Sequence, residues 1–224
     1  MKKIRITTED GSPSFYSEQF NEIYHSKKGA ITESDYVYIN KGLAHWSSQN
    51  KQMSPKIFEM GLGTGLNAYL SYIFVVDHKI SCEYFAVEKY PLSFKEVKSL
   101  YMEDVLPDSE HKHFFDQLHK VDWGGSLLQK EFLFKKIKGD FFTLDFDNQF
   151  DVLYYDAFGY HAQPEMWHES ALQKCHDILA PGGVWVSYCA KGSVRRILEK
   201  IGFWLERLEG PPGKREMLRA IKKV

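Results

Sequence analysis

The segment Lys56–Met60, KIFEM, runs straight into Gly61-Leu62-Gly63-Thr64-Gly65, and Leu66, Tyr69, Leu70, Ile73 and Phe74 then recur at helical spacing. A short apolar strand that turns through three glycines into a helix commits the chain to a strand–turn–helix unit. Glycine allows left-handed backbone and lets other groups approach the main chain closely. The alternation continues downstream. EYFAV (83–87) predicts a second strand ending at Glu88, and Ser93-Phe94-Lys95-Glu96 fits a capping box that opens a second helix. Residues 132–137 predict a third strand ending near Gly139-Asp140, and FDVLYY (150–155) a fourth ending at Asp156. Pro164 suits the first turn of a helix carrying Met166, Trp167, Leu172, Cys175, Ile178 and Leu179, stopped by Pro181-Gly182-Gly183. A fifth strand is expected over 184–189, and Ser193 is placed to cap a helix through Ile201. Strands over 204–208 and 216–221 flank Gly210-Pro211-Pro212-Gly213 as a closing hairpin. The sum is an α/β, Rossmann-like, doubly wound fold: a mostly parallel seven-stranded sheet with an antiparallel terminal hairpin. Residues 1–50 read as an N-terminal cap, with a small β element around Tyr36–Ile39, on a domain spanning 51–224; together they form one compact unit.

In such a sheet ligands bind beyond the C-terminal strand ends. Glu59 to Gly65, Glu88, Asp140 and Asp156 all fall there. The turn is GxGxG; Leu66 stands where a dinucleotide fingerprint has its third glycine. Glu59 beside the turn repels a pyrophosphate but suits the methionyl ammonium of S-adenosylmethionine. Glu88 can accept from both ribose hydroxyls, because a carboxylate is acceptor-only, and Asp140 can accept from an adenine amino group. Thr64, Asn67 and Lys89 lie on the same turns. The terminal hairpin also favours the methyltransferase class.

Composition narrows the function classes. With 224 residues, 29 Lys+Arg and 30 Asp+Glu, the formal charge is −1, which excludes a polycationic nucleic-acid coat and an acidic disordered tail. The N-terminus MKKIRITTED has no apolar core of a signal peptide, and residues 69–76 are too few to span a bilayer. Cys82, Cys175 and Cys189 have no zinc spacing. A cytoplasmic protein without metal is expected. His111, His113 and His119, with Asp108, Glu110 and Asp116, read as a solvated connector rather than a metal site. His161 and His168 read as rim residues.

Several segments together resemble one family. They are EIYHSKKGAITESDYVYI (22–39), FEMGLGTGLN (58–67), FAVEKYPL (85–92), DAFGYHAQPEMW (156–167), LAPGG (179–183), GSVRRILEKIGF (192–203) and GPPGKREML (210–218). The chain is similar to the methyltransferase domain of the bifunctional tRNA 5-methylaminomethyl-2-thiouridine biosynthesis protein, in a stand-alone form without the FAD-dependent oxidase domain. The resemblance implies S-adenosylmethionine as cofactor, no FAD, and methylation of the aminomethyl nitrogen on the wobble uridine in the tRNA anticodon loop. Ala157-Phe158-Gly159-Tyr160 and Gln163-Pro164 depart from the family's usual Gly-Phe-Ala-Pro and Asn-Pro.

The nucleophile in that reaction is a neutral amine. At a reference pKa near 10.4, about one amine in 10³ is neutral at pH 7. Asp156 is assigned to orient the amine first and to relay its proton second; a cofactor contact is the alternative role. Phe158, Tyr160 and Trp167 are grouped to stack on a splayed-out uridine. Residues 191–224 hold ten basic and four acidic side chains, a local +6, and Lys214-Arg215 are the pair assigned to the phosphate backbone. The rival readings are a small-molecule N-methyltransferase, an aminopropyltransferase of the same fold, and a non-enzymatic RNA-binding module.

Overall fold

Residues 2–51, 53–100, 111–146 and 149–223 are described by the computed structural model of the chain; Asp108 and Glu110 lie outside them. The apolar runs at 56–60, 82–88, 132–138 and 150–155 become the parallel strands β4 (Lys56–Met60), β5 (Cys82–Glu88), β7 (Phe132–Lys138) and β8 (Phe150–Tyr155). With β6 (Ser126–Gln129), β9 (Leu179–Ser187), β10 (Phe203–Glu209) and β11 (Glu216–Lys222) they form one sheet ordered β10-β11-β9-β8-β4-β5-β7-β6. β9 joins β8 in parallel, while β11, β10 and β6 are antiparallel to their neighbours.

The expected mostly parallel sheet with a terminal hairpin is present, with an eighth strand. That strand, β6, is a four-residue edge whose turn into β7 uses Lys130 at φ 50°. It has no Asn-Gly or Asp-Gly signal, so nothing local announces it. β9 starts at Leu179, earlier than expected: the Pro-Gly-Gly run is absorbed into the strand, with a register irregularity opposite β8.

Both faces of the sheet are covered, as continuous apolar strands require. α3 (Leu66–His78) and α5 (Lys112–Lys120) lie on one face; α6 (Glu169–Ile178) and α7 (Gly192–Ile201) lie on the other. α4 (Phe94–Ser99) opens on the expected Ser93–Glu96 capping box. Ser193 does not cap α7, whose N-cap is Lys191. Pro164 opens a short 3-10 turn, Pro164–Trp167, before α6 begins.

The N-terminal fifty residues give a three-stranded antiparallel sheet of β1 (Lys3–Thr7), β2 (Pro13–Ser17) and β3 (Glu22–Ile23), followed by one helical stretch. That stretch runs as α1 (Ala30–Ser34), π-helical turns over Asp35–Ala44, and α2 (His45–Gln49). Tyr36–Ile39 is therefore helical and not the β element expected. Four apolar residues in a row carry strand propensity, but Ala30, Ser34, Tyr38, Leu43 and Trp46 are buried at a spacing of about four, and packing decides. Gly42 lets this helix sit on the sheet: a Cβ there would stand 3.0 Å from Val186 Cγ2.

No helix of the described residues is long and apolar enough to cross a membrane. Along the sheet, strand order reverses between β4 and β8, so the switch point lies between Met60-Gly61 and Asp156.

Candidate active site

A cavity of about 650 Å³ opens at this switch point, a size that fits a nucleoside-bearing ligand. Gly61, Glu88, Lys89, Asp140 and Asp156 line one side. Phe20, Glu22, Tyr24, His25 and Glu33, from the N-terminal segment, line the other.

The glycine turn explains itself residue by residue. Gly61 has φ 93°, and its N–H donates to Val87 O at 3.0 Å. Gly63 N–H donates to Glu88 Oε2 at 3.0 Å, and Tyr90 N–H to Oε1 at 2.8 Å. Each oxygen of Glu88 thus retains a lone pair for a hydroxyl; burial raises its pKa and the backbone donors oppose that. Lys89 and Asp140 pair at 2.7 Å on the rim. Asp140 also accepts from Phe142 N–H at 3.0 Å, and Lys89 first, then that amide, hold its pKa down.

Gly63, Thr64 and Gly65 lie outside the cavity lining. They are gripped from behind: the Tyr24 ring packs on Gly63, His25 Nε2 lies 3.2 Å from Thr64 Oγ1, and His119 Nε2 lies 3.0 Å from Thr64 O. His119 therefore serves the turn and is not part of a solvated connector. Burial pushes the His25 pKa down to about 4 and that of His119 to about 3. Both rings are neutral when folded and take up protons when unfolded near pH 6.5. Their contribution to stability is present above that value and lost as pH falls toward 4. His25→Asn and His119→Gln should each flatten the decline of Tm between pH 6.5 and 4, by up to about 3 kcal/mol in unfolding free energy.

Asp156 sits on the cavity floor. Side-chain alternation puts Tyr154 and Asp156 of one strand, and Ile57 and Glu59 of its neighbour, on the face covered by α3. Asp156 Oδ1 accepts from Tyr38 Oη at 2.6 Å, and Oδ2 from Asn67 Nδ2 at 2.9 Å. Its pKa is pushed up to about 7, first by burial and then by Glu33, against the Tyr38 and Asn67 hydrogen bonds and Lys214. Glu59 is fully buried and outside the cavity lining; its Oε1 accepts from the same Asn67 Nδ2 at 2.9 Å.

The proposed substrate side divides. Phe158 forms cavity wall and stacks on Phe20 at 4.8 Å, with Tyr24 edge-on at 5.1 Å. Trp167 is a correction. It is 1% exposed, and its indole N–H donates to Phe158 O at 2.8 Å, so it props the wall from the core and offers no face to a base. Tyr160 lies outside the lining with Lys191 Nζ 3.2 Å from its ring centre. Lys214 lines the cavity, pairs with Glu33 and lies over the Tyr188 ring at 3.8 Å, whereas Arg215 is exposed at the hairpin turn outside the lining. Arg195, Lys200, Arg207, Lys214 and Arg219 of the basic C-terminal stretch pair with glutamates; Glu199, Glu216 and Glu206 belong to the stretch itself, so only Glu169 and Glu33 lower its local charge further.

Sequence reasoning missed Tyr38, Glu33 and the aromatic N-terminal wall. The only available signal was the density of aromatics in an otherwise polar segment.

A family profile described as S-adenosyl-L-methionine-dependent methyltransferase matches residues 108–223, just over half of the chain. The chain belongs to this methyltransferase family. Curated relatives include the tRNA 5-methylaminomethyl-2-thiouridine biosynthesis bifunctional proteins MnmC of Marinomonas sp. (28% identical, 93% of this chain) and Leptospira interrogans (30%, 90%). The methyltransferase spans about a third of the length of either relative. Its fold superposes on the crystal structure of MNMC2 from Aquifex aeolicus with TM-score 0.79 at 25% identity, over 98% of this chain and 70% of that one. The cavity of the methyltransferase fits an adenosyl ligand: an acceptor-only carboxylate for a diol, the side-chain-free backbone of Gly61 in its lining, and an acid at the rim.

Proposed function

We propose that this methyltransferase methylates the aminomethyl nitrogen of 5-aminomethyl- or 5-aminomethyl-2-thiouridine at the wobble position of tRNA, and so acts in the cytoplasm on the anticodon loop. Glu88 and Asp140 hold the ribose and adenine of S-adenosylmethionine, with Gly61 and Lys89 beside them. When bound, that cofactor supplies a methyl group on a sulfonium.

The reading is carried by Asp156. An ordinary Asp lies roughly six pKa units below an aliphatic amine, whereas a carboxyl held near 7 lies about three below. Such a group is half ionised at neutral pH and can take the proton that the amine must lose. Proton relay therefore moves up from a secondary role to stand beside positioning. Phe158, backed by Trp167, offers its ring edge or face to the uracil, and Lys214 closes the cavity near Asp156. The names of the relatives support tRNA as the substrate class. Against a binding module stands the raised carboxyl, which binding alone does not need.

The test is nucleoside mass spectrometry of tRNA bearing 5-aminomethyluridine after incubation with the protein and S-adenosylmethionine. Conversion to 5-methylaminomethyluridine is expected. Unchanged tRNA together with methylation of free small amines would favour the small-molecule reading instead.

A further inference from the structure

One amide nitrogen joins the buried carboxyl of Glu59 and the half-buried carboxyl of Asp156 on the cavity floor. Asn67 Nδ2 donates to Glu59 Oε1 and to Asp156 Oδ2, both at 2.9 Å, one hydrogen to each. Two carboxylates brought onto one amide nitrogen disfavour each other's charge, and the proton goes to the one that is worse solvated and has fewer donors. The donor sets decide which. Asp156 also receives the Tyr38 hydroxyl, and Glu33, Tyr188 and Lys214 face it from the neighbouring elements. Glu59 is 0% exposed, its Oε2 finds no hydrogen-bond partner, and Tyr84, Glu88 and Asp156 around it are neutral or negative. Tyr84 Oη is near enough for Glu59 to raise its pKa, without hydrogen-bond geometry.

We propose that Glu59 is a neutral, protonated positioning residue that aims Asp156 through Asn67, and not a contact to the methionyl ammonium of the cofactor. Burial first and then the Asp156 charge push its pKa well above the carboxylate range, against the pull of Asn67 and Tyr84. The strand end carries the acid to the right place, but alternation turns it toward α3, away from the cavity.

A neutral glutamine is then a near copy of the residue present. Glu59→Gln should keep S-adenosylmethionine affinity, read by calorimetry, and kcat within about threefold. Glu59→Leu, which strips Asn67 of one acceptor, should lower kcat about tenfold or more at unchanged KM for the cofactor. Asn67→Leu removes a donor to ionised Asp156, so the acid limb of the kcat profile should move up by about one pH unit; a merely structural loss would not move it. Carbon-13 carboxyl NMR should show a residue-59 signal, absent in Glu59→Gln, that does not titrate between pH 5 and 8. The kinetic arms rest on the methyl-transfer reading; calorimetry and NMR do not, so failure of the two ideas is distinguishable. A tenfold or greater loss of cofactor affinity in Glu59→Gln, failure of that variant to fold, an unmoved acid limb in Asn67→Leu, or titration of residue 59 below pH 6 would each overturn the proposal.

Discussion

Asp156→Asn should lower kcat by roughly 10²–10⁴-fold, the range for loss of a positioned acid–base group, and should make the protein more stable above pH 7. Both effects have one source. The carboxyl lies on the cavity floor, largely shielded from solvent, and ionising it there is costly, which is why its pKa rises from 3.8 to about 7. The folded state therefore binds a proton more readily than the unfolded chain. The stability this confers is complete below about pH 4, is lost as pH rises, and is gone above about pH 7. Asparagine has no charge to bury. Relative to the unchanged chain its advantage should be nil at pH 4 and grow to at most about 4 kcal/mol above pH 7. Geometry allows the exchange: the Tyr38 hydroxyl can donate or accept, so an amide at 156 still finds partners on both sides. Tm measured from pH 4 to 9 on both proteins, with kcat and cofactor affinity on the same preparations, reads both arms. Full turnover in the asparagine variant, with cofactor binding intact, would remove Asp156 from the chemistry.

The strand ends were legible because their signals are local. KIFEM before GLGTG, EYFAV before Glu88 and FDVLYY before Asp156 each combine an apolar run with a turn residue, and those segments form β4, β5 and β8 with their acids at the switch point. What could not be read depends on contacts across the chain. Strand position shows how far along the sheet an acid lies, but not what covers its face; Glu59 was placed correctly along β4 and is nonetheless roofed by Asn67. Trp167 and Phe158 look alike in sequence, and only the indole hydrogen bond to the Phe158 carbonyl separates the prop from the wall. The +6 of the C-terminal stretch is a sum over residues, whereas its field depends on partners such as Glu33, 181 residues from Lys214. Tyr38 reaches Asp156 from a π-helical turn whose apolar run imitates a strand.

Gly61→Ala should damage stability, cofactor binding and turnover together. The residue has φ 93°, a left-handed backbone that costs a side-chain-bearing residue on the order of 1–3 kcal/mol. Its added Cβ would stand 2.7 Å from the backbone carbonyl oxygen of Asp156. That obstacle is main chain at the end of a central strand and cannot rotate away. The clash is relieved only by parting β4 from β8 or by shifting Asp156, and both disturb the Tyr38 and Asn67 hydrogen bonds. Unfolding free energy should fall by roughly 2–4 kcal/mol, cofactor affinity by about 100-fold or more, and the acid limb of turnover should move with the displaced carboxyl. Gly124→Ala is the control: its φ is 87°, but no atom lies within 4 Å of the added Cβ, so it carries backbone strain alone. If both variants lose stability equally and both keep cofactor affinity, the close approach of Gly61 to Asp156 has no functional weight. A deficit at Gly61 that exceeds the Gly124 value and extends to binding identifies the contact between the glycine turn and Asp156 as the joint on which cofactor and acid are aligned.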